Sequence, residues 1–134
     1  MNPIPIVLLV EDSLDDTYFF HRALTKSSIA CDFKHVSDGG AAVRFLEQAA
    51  LNPEKLPDFI FLDLKMPVLS GFDVLEWLRR QTFGDAPVVF VLSGSNQEAD
   101  RHRAAQLGAT DYLVKPVSAE DLIKRLQGFK AAVS

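Results

Sequence analysis

Phe59-Ile60-Phe61-Leu62-Asp63, continued by Leu64-Lys65-Met66-Pro67 and Ser70-Gly71, is the stretch on which the fold turns. Four consecutive apolar residues with no polar alternation read as a strand buried on both faces, which happens between two layers of helices. The run stops at a carboxylate, and Met66-Pro67 with Gly71 supplies the turn chemistry that follows. Two further runs share this character, Ile4 to Val10 and Val88 to Leu92, and two weaker ones run from Asp32 to Val36 and from Asp111 to Val114. Five strands are predicted.

Helix-period segments lie between them. Ala41, Ala42, Phe45, Leu46 and Ala49 form one apolar stripe, and Leu122, Ile123, Leu126 and Phe129 form another. Leu75 and Leu78 belong to a third, after the Ser70-Gly71 turn. A first helix is predicted from about Leu14 to Lys26, with Phe20, Ala23 and Leu24 inward. Ser13 is its N-cap, and Asp15 and Asp16 sit in its first turn, where negative charge suits the helix dipole. The helix near Gln97 to Gln106 has only Ala99, Ala104, Ala105 and Leu107 to bury, so it is the least anchored. Strand and helix alternating five times give right-handed βαβ units and a parallel sheet covered on both faces, a doubly wound α/β fold.

Length and composition agree with this class. The 134 residues are one domain, 48% apolar and 24% charged, which excludes disorder and low complexity. A net charge of −4, from 14 basic and 18 acidic residues, leaves no electrostatic footprint for nucleic acid or an anionic membrane. No apolar run approaches a membrane span, Cys31 has no second cysteine to pair with, and the N-terminus lacks a charged signal region. A cytoplasmic protein is expected. The Ala50 to Pro57 stretch, with its two prolines, is read as a local loop insertion.

Open parallel sheets place their sites beyond the carboxyl ends of the strands. Here the first strand ends in Glu11-Asp12, the third in Asp63, the fourth in Ser93-Gly94 and the fifth in Lys115-Pro116. If the first, third, fourth and fifth strands are neighbours, three carboxylates, a hydroxyl and an ammonium converge. Three adjacent carboxylates raise one another's pKa unless a cation joins them, and Mg²⁺ would do so while leaving positions for phosphate oxygens. Lys115 adds a point charge for the same oxygens. Taken singly, Glu11 and Asp12 read equally well as helix-capping residues, Lys115 as a solvated lysine, and Ser93 as a cap or loop residue. Their joint occurrence at four strand ends favours a site. His21, His35 and His102 lack zinc-ligand spacing, and Trp77 reads as packing.

These residues resemble the receiver domain of two-component response regulators across essentially the whole chain. The matching stretches are Leu8-Leu9-Val10-Glu11-Asp12-Ser13, Phe61 to Pro67 with Gly71-Phe72-Asp73-Val74-Leu75, Val91-Leu92-Ser93-Gly94, and Gly108 to Pro116. The resemblance implies a flavodoxin-like sheet of order 2-1-3-4-5. It implies that Asp63 accepts a phosphoryl group from a sensor histidine kinase or histidine phosphotransfer protein. Glu11, Asp12, Asp63 and the backbone carbonyl of Lys65 would hold Mg²⁺, Ser93 and Lys115 would meet the phosphoryl oxygens, and Tyr112 would be the aromatic switch. The Lys115-Pro116 bond is often cis in this family.

Because the chain ends at Ser134, just after the predicted fifth helix, a single domain over residues 1–134 with no output domain is expected. Its signal would leave through the fourth helix, fifth strand and fifth helix, by homodimerisation or by binding a downstream protein. The Ala50 to Pro57 insertion is similar to that of stand-alone regulators paired with bacterial phytochrome-type kinases. Departures are small: Ser93 stands where threonine is usual, and Lys65 and Ser95 occupy variable positions. Three rival families fit the residues less well. An aspartate-nucleophile phosphatase needs a second Asp where Lys65 stands; a flavodoxin-like carrier needs a glycine-rich phosphate loop where Glu11, Asp12, Asp15 and Asp16 would repel one; a pseudo-receiver would not need the full acidic and basic set.

Overall fold

A computed structural model describes residues 4–83 and 86–133, with side chains placed through residue 127. The strands are β1 (Ile6–Val10), β2 (Asp32–Val36), β3 (Phe59–Asp63), β4 (Val88–Ser93) and β5 (Asp111–Val114). They alternate with α1 (Leu14–Ser27), α2 (Gly39–Ala50), α3 (Gly71–Arg79), α4 (Glu98–Gln106) and α5 (Ala119–Val133). All neighbouring strands run parallel in the order β2-β1-β3-β4-β5. This is the sheet order that the resemblance implied.

The period-two geometry of the strands sorts their apolar side chains onto two faces. Leu8, Val10, Ile60, Leu62, Val89, Val91 and Tyr112 face a layer built from Ala42 and Leu46 of α2, Val74 and Leu75 of α3, and Ala104 of α4. Val7, Leu9, Phe59, Phe61, Phe90, Leu92 and Leu113 face Phe20, Ala23 and Leu24 of α1 and Leu122 and Leu126 of α5. That second face is aromatic, with Phe61 packed between Phe20 and Phe90 at ring-centroid distances of 4.9 and 5.1 Å. Both halves of the five-strand sandwich are thus dry, as unalternating sequence requires.

Several boundaries differ from expectation. Ile4 lies outside β1 and is exposed, because Pro5 has no N–H to give a ladder. Asp63 and Ser93 are the last residues of β3 and β4, still paired to their neighbours. The Ala50–Pro57 stretch is not wholly loop, since Pro53–Lys55 form a 3-10 turn. In α4 only Ala104 is buried; Ala99 and Ala105 face solvent and Leu107 is half-buried. The Phe129 side chain lies outside the described residues. Among the described residues no helix is long and apolar enough to cross a membrane.

Gly71 is required by close approach. A Cβ there would lie 2.4 Å from the Asp63 carbonyl oxygen and 2.7 Å from Leu64 Cα, so only glycine lets α3 start against the end of β3. Ser70 closes that start with a reciprocal capping box to Asp73. The loop before it contains Val68 at φ 68°, a left-handed conformation costly for a β-branched residue.

Candidate phosphoryl-accepting site

Register brings the strand ends together. Val10 pairs with Leu62 and Asp63 with Leu92, so Glu11 leaves β1 beside Asp63. Ser93 pairs with Val114, and the Ser93 carbonyl accepts the Lys115 N–H at 2.8 Å. Each of the four strand ends named from the sequence therefore reaches one place. The Lys115–Pro116 peptide is cis.

At the centre stands the Lys115 ammonium. Its Nζ lies 2.7 Å from Glu11 Oε1, 2.8 Å from Asp16 Oδ2 and 3.2 Å from Asp63 Oδ1. Glu11 is 1% exposed and Asp63 4% exposed, whereas Asp12 is exposed at the rim. Burying carboxylates favours their neutral forms. Burial, reinforced by the charge of Asp63 and opposed by Lys115, pushes Glu11 from 4.5 up to about 7. Burial also pushes Asp63 above its ordinary value, against the pull of Lys115 and hydrogen bonds that include the Lys65 N–H. For Lys115 burial acts downward, yet hydrogen bonds to Asp16 and Glu11 and the charge of Asp63 prevail and hold it above the ordinary lysine value.

One cation is too little for this many acids. Carboxylate oxygens of Glu11, Asp12 and Asp63 lie within 4.8 Å of one another. Glu11 Oε2 accepts the Ser13 N–H at 3.2 Å, while the buried Oε1 touches Lys115 without an aligned hydrogen bond. That leaves a lone pair of a buried carboxylate unused, and an all-oxygen donor set of this kind suits a hard divalent cation.

Ser93 is buried, and its Oγ accepts the Ser95 N–H at 3.1 Å, folding the first turn after β4. Tyr112, the residue the resemblance implies as the aromatic switch, has its ring buried in this structure. Its hydroxyl donates to the Ser95 carbonyl at 2.7 Å, and the Arg101 guanidinium lies 4.8 Å from the ring centroid. The acceptor is a loop carbonyl that residue-by-residue reading cannot place.

Two residues at the site were missed. Asp16 was read only as a helix-dipole residue; Ser13 does cap α1 by accepting the Asp16 N–H, but the Asp16 carboxylate reaches Lys115. The signal was available: helical side chains tilt toward the N-terminus, so a first-turn Asp points back at the strand ends. His35 has no metal-ligand spacing in the sequence, yet its Nε2 lies 2.9 Å from the Glu11 carbonyl and 3.3 Å from Thr17 Oγ1. No spacing rule could find it, since the contact crosses from β2 to β1.

Comparison with known proteins reaches the same place. The sequence profile of the response regulator receiver domain matches residues 7–127. The response regulator Rcp1 of Synechocystis sp. is 33% identical over 131 residues, 97% of this chain and 89% of that protein. A probable methanogenesis regulatory protein, FilR2 of Methanothrix harundinacea, is 32% identical over 93% of this chain and 81% of its own length. Among solved structures, the bacteriophytochrome response regulator RtBRR superposes with a TM-score of 0.80 at 30% identity, over 93% of this chain and 77% of that one. The Mn²⁺-bound form of Rcp1 superposes with a TM-score of 0.71 at 32% identity, over 95% and 92%.

Proposed function

We propose, from the premise that the chain belongs to the response regulator receiver domain family, that Asp63 is its phosphoacceptor. Receiver domains of two-component systems are phosphorylated on aspartate by histidine kinases. The observation that carries the assignment is that Asp63 alone of the three clustered carboxylates lies within a strand, as the buried last residue of central β3, with the Lys115 ammonium 3.2 Å from its Oδ1.

In this reading a carboxylate oxygen of Asp63 attacks the phosphorus of a phosphohistidine. The new O–P bond forms as the N–P bond breaks, and the imidazole departs with the electron pair. Receiver domains bind Mg²⁺ or Mn²⁺ in an acidic pocket, and here Glu11, Asp12, Asp63 and the Lys65 carbonyl would hold the ion, which neutralises charge on the transferred group. Lys115 would pair with one equatorial oxygen, and the Ser93 hydroxyl would donate to another. Hydrolysis later restores the carboxylate, as water attacks phosphorus and the acyl phosphate O–P bond breaks to release phosphate.

The donor is proposed to be a phytochrome-type histidine kinase in the cytosol, because several structural relatives are bacteriophytochrome or cyanobacterial phytochrome response regulators. The output is proposed to pass through α4, β5 and α5, to a second copy or a downstream protein, with no direct contact to nucleic acid. A phosphatase role is disfavoured because Lys65, exposed two residues after Asp63, offers no acid/base carboxyl. The test is intact mass after incubation with acetyl phosphate and Mg²⁺. One added phosphoryl group is expected, and Asp63→Asn should remove it; undiminished labelling in that variant overturns the assignment.

A further inference from the structure

Lys115 has three carboxylate partners, and they are not equivalent. Glu11 and Asp63 both belong to the cluster that could gather a divalent cation. Asp16 lies outside that cluster, on the first turn of α1, with its side chain 38% exposed. Its Oδ2 to Lys115 Nζ distance of 2.8 Å is shorter than that from Asp63, at 3.2 Å. The Asp16 backbone is fixed independently, because its N–H donates to the capping Ser13 Oγ.

We propose that Asp16 is a positioning residue for the phosphoryl-accepting reaction: it holds the Lys115 ammonium at the mouth of the pocket and competes with the phosphoryl group for it. This rests on the reading of Asp63 as phosphoacceptor. Once a cation offsets Glu11 and Asp63, Asp16 is the remaining carboxylate on Lys115 among the described residues. A phosphoryl group on Asp63 brings anionic oxygens to the same ammonium, and the Asp16 carboxylate opposes them twice. It retains the cation they need, and it repels them through a short, partly desolvated path. Asp16 therefore tunes how readily Lys115 is given up to the phosphorylated state.

The test uses beryllofluoride with Mg²⁺ as the phosphoryl mimic on the intact chain. Asp16→Asn keeps the backbone N–H that caps α1 and removes only the charge. It should bind the mimic about threefold to tenfold more tightly than the wild type. Asp15→Asn is the control: Asp15 is exposed on the same turn and has no ion pair among the described residues, so its affinity should stay near the wild-type value. A second readout needs no metal. In EDTA, the Lys115 ammonium signal in ¹⁵N-lysine spectra should exchange slowly with water in the wild type and faster in Asp16→Asn.

Unchanged or weaker binding by Asp16→Asn overturns the proposal, as does an equal gain in Asp15→Asn or an unaltered Lys115 signal. A wild type that binds no mimic overturns the Asp63 reading and this one together. A wild type that binds it with no gain in Asp16→Asn overturns this one alone.

Discussion

The first and fourth helices both begin beside the carboxyl end of the sheet, and they are held there by different means. α1 is capped by Ser13 and buries Phe20, Ala23, Leu24 and Ser27, with Phe20 against Phe33 and Phe61. α4 has no side-chain cap and buries Ala104 alone. Polar and cationic contacts do the rest: Tyr112 to the Ser95 carbonyl, Arg101 over the Tyr112 ring, Arg103 over Phe72, and Arg79 to the Gln106 carbonyl. Apolar burial is lost only when a helix leaves the core, whereas hydrogen bonds and cation–π contacts at a surface can be exchanged for others at little cost. One site thus has a fixed wall, which carries Asp16, and a movable one, which begins just after Ser93. Elements of low local stability are where switching segments are drawn from.

Core truncation should separate the two helices most. Phe20→Ala should destabilise the protein by about 3–5 kcal/mol in urea unfolding, while Ala104→Gly should cost about 1 kcal/mol, mostly helix propensity. Equal costs would mean that α4 is anchored as firmly as α1.

Acidity sharpens the contrast next. Because folding raises Glu11 from 4.5 to about 7, with burial as the main cause, its stabilising contribution is full below pH 4.5 and is lost as pH rises through 7; Asp63, also raised, acts in the same direction. In EDTA the protein should lose up to about 3 kcal/mol of stability between pH 5 and about 7.5 from this source. Saturating Mg²⁺ should flatten the slope, and a slope unaffected by Mg²⁺ would remove the acidic cluster as its origin.

A smaller effect is expected at the movable wall. Tyr112→Phe deletes the hydroxyl that holds the Ser95 carbonyl and should cost about 1 kcal/mol. Amide exchange should accelerate between residues 95 and 106 with α1 unchanged; equal acceleration in α1 would show that the two walls are coupled. The smallest expected change lies on neither helix. Val68→Gly relieves a left-handed β-branched residue that is fully exposed, and should raise stability by about 0.5 kcal/mol after the entropy cost of glycine. A loss of stability on thermal unfolding would mean that the Val68 conformation is not strained.

The strands were legible because burial on two faces leaves a composition signature: Phe59 to Leu62 and Val88 to Leu92 needed no partner to be read. The weak stripe of α4 was legible for the same reason, although Ala99 and Ala105 turned out to face water. Alanine is apolar enough to enter a stripe and small enough to leave it. Of the residues gathered from the sequence, Glu11, Asp12, Asp63 and Lys115 do meet, and Ser93 ends the strand beside them, because strand ends are fixed by where apolar runs stop. Asp16 and His35 were not recovered as site residues, since an acidic first turn has a sufficient local explanation and a lone histidine has none.

Local hydrophobic period and punctuation fix the alternation of elements, the two dry faces of the sheet and the set of polar groups at its carboxyl end. Packing between distant parts of the chain sets which carboxylates share the Lys115 ammonium, the burial that pushes Glu11 up to about 7, and the buried position of the Tyr112 ring. Those outcomes depend on strand register and desolvation. Both are set by residues far apart in the chain, such as Asp16 and Lys115, whose meeting no local pattern encodes.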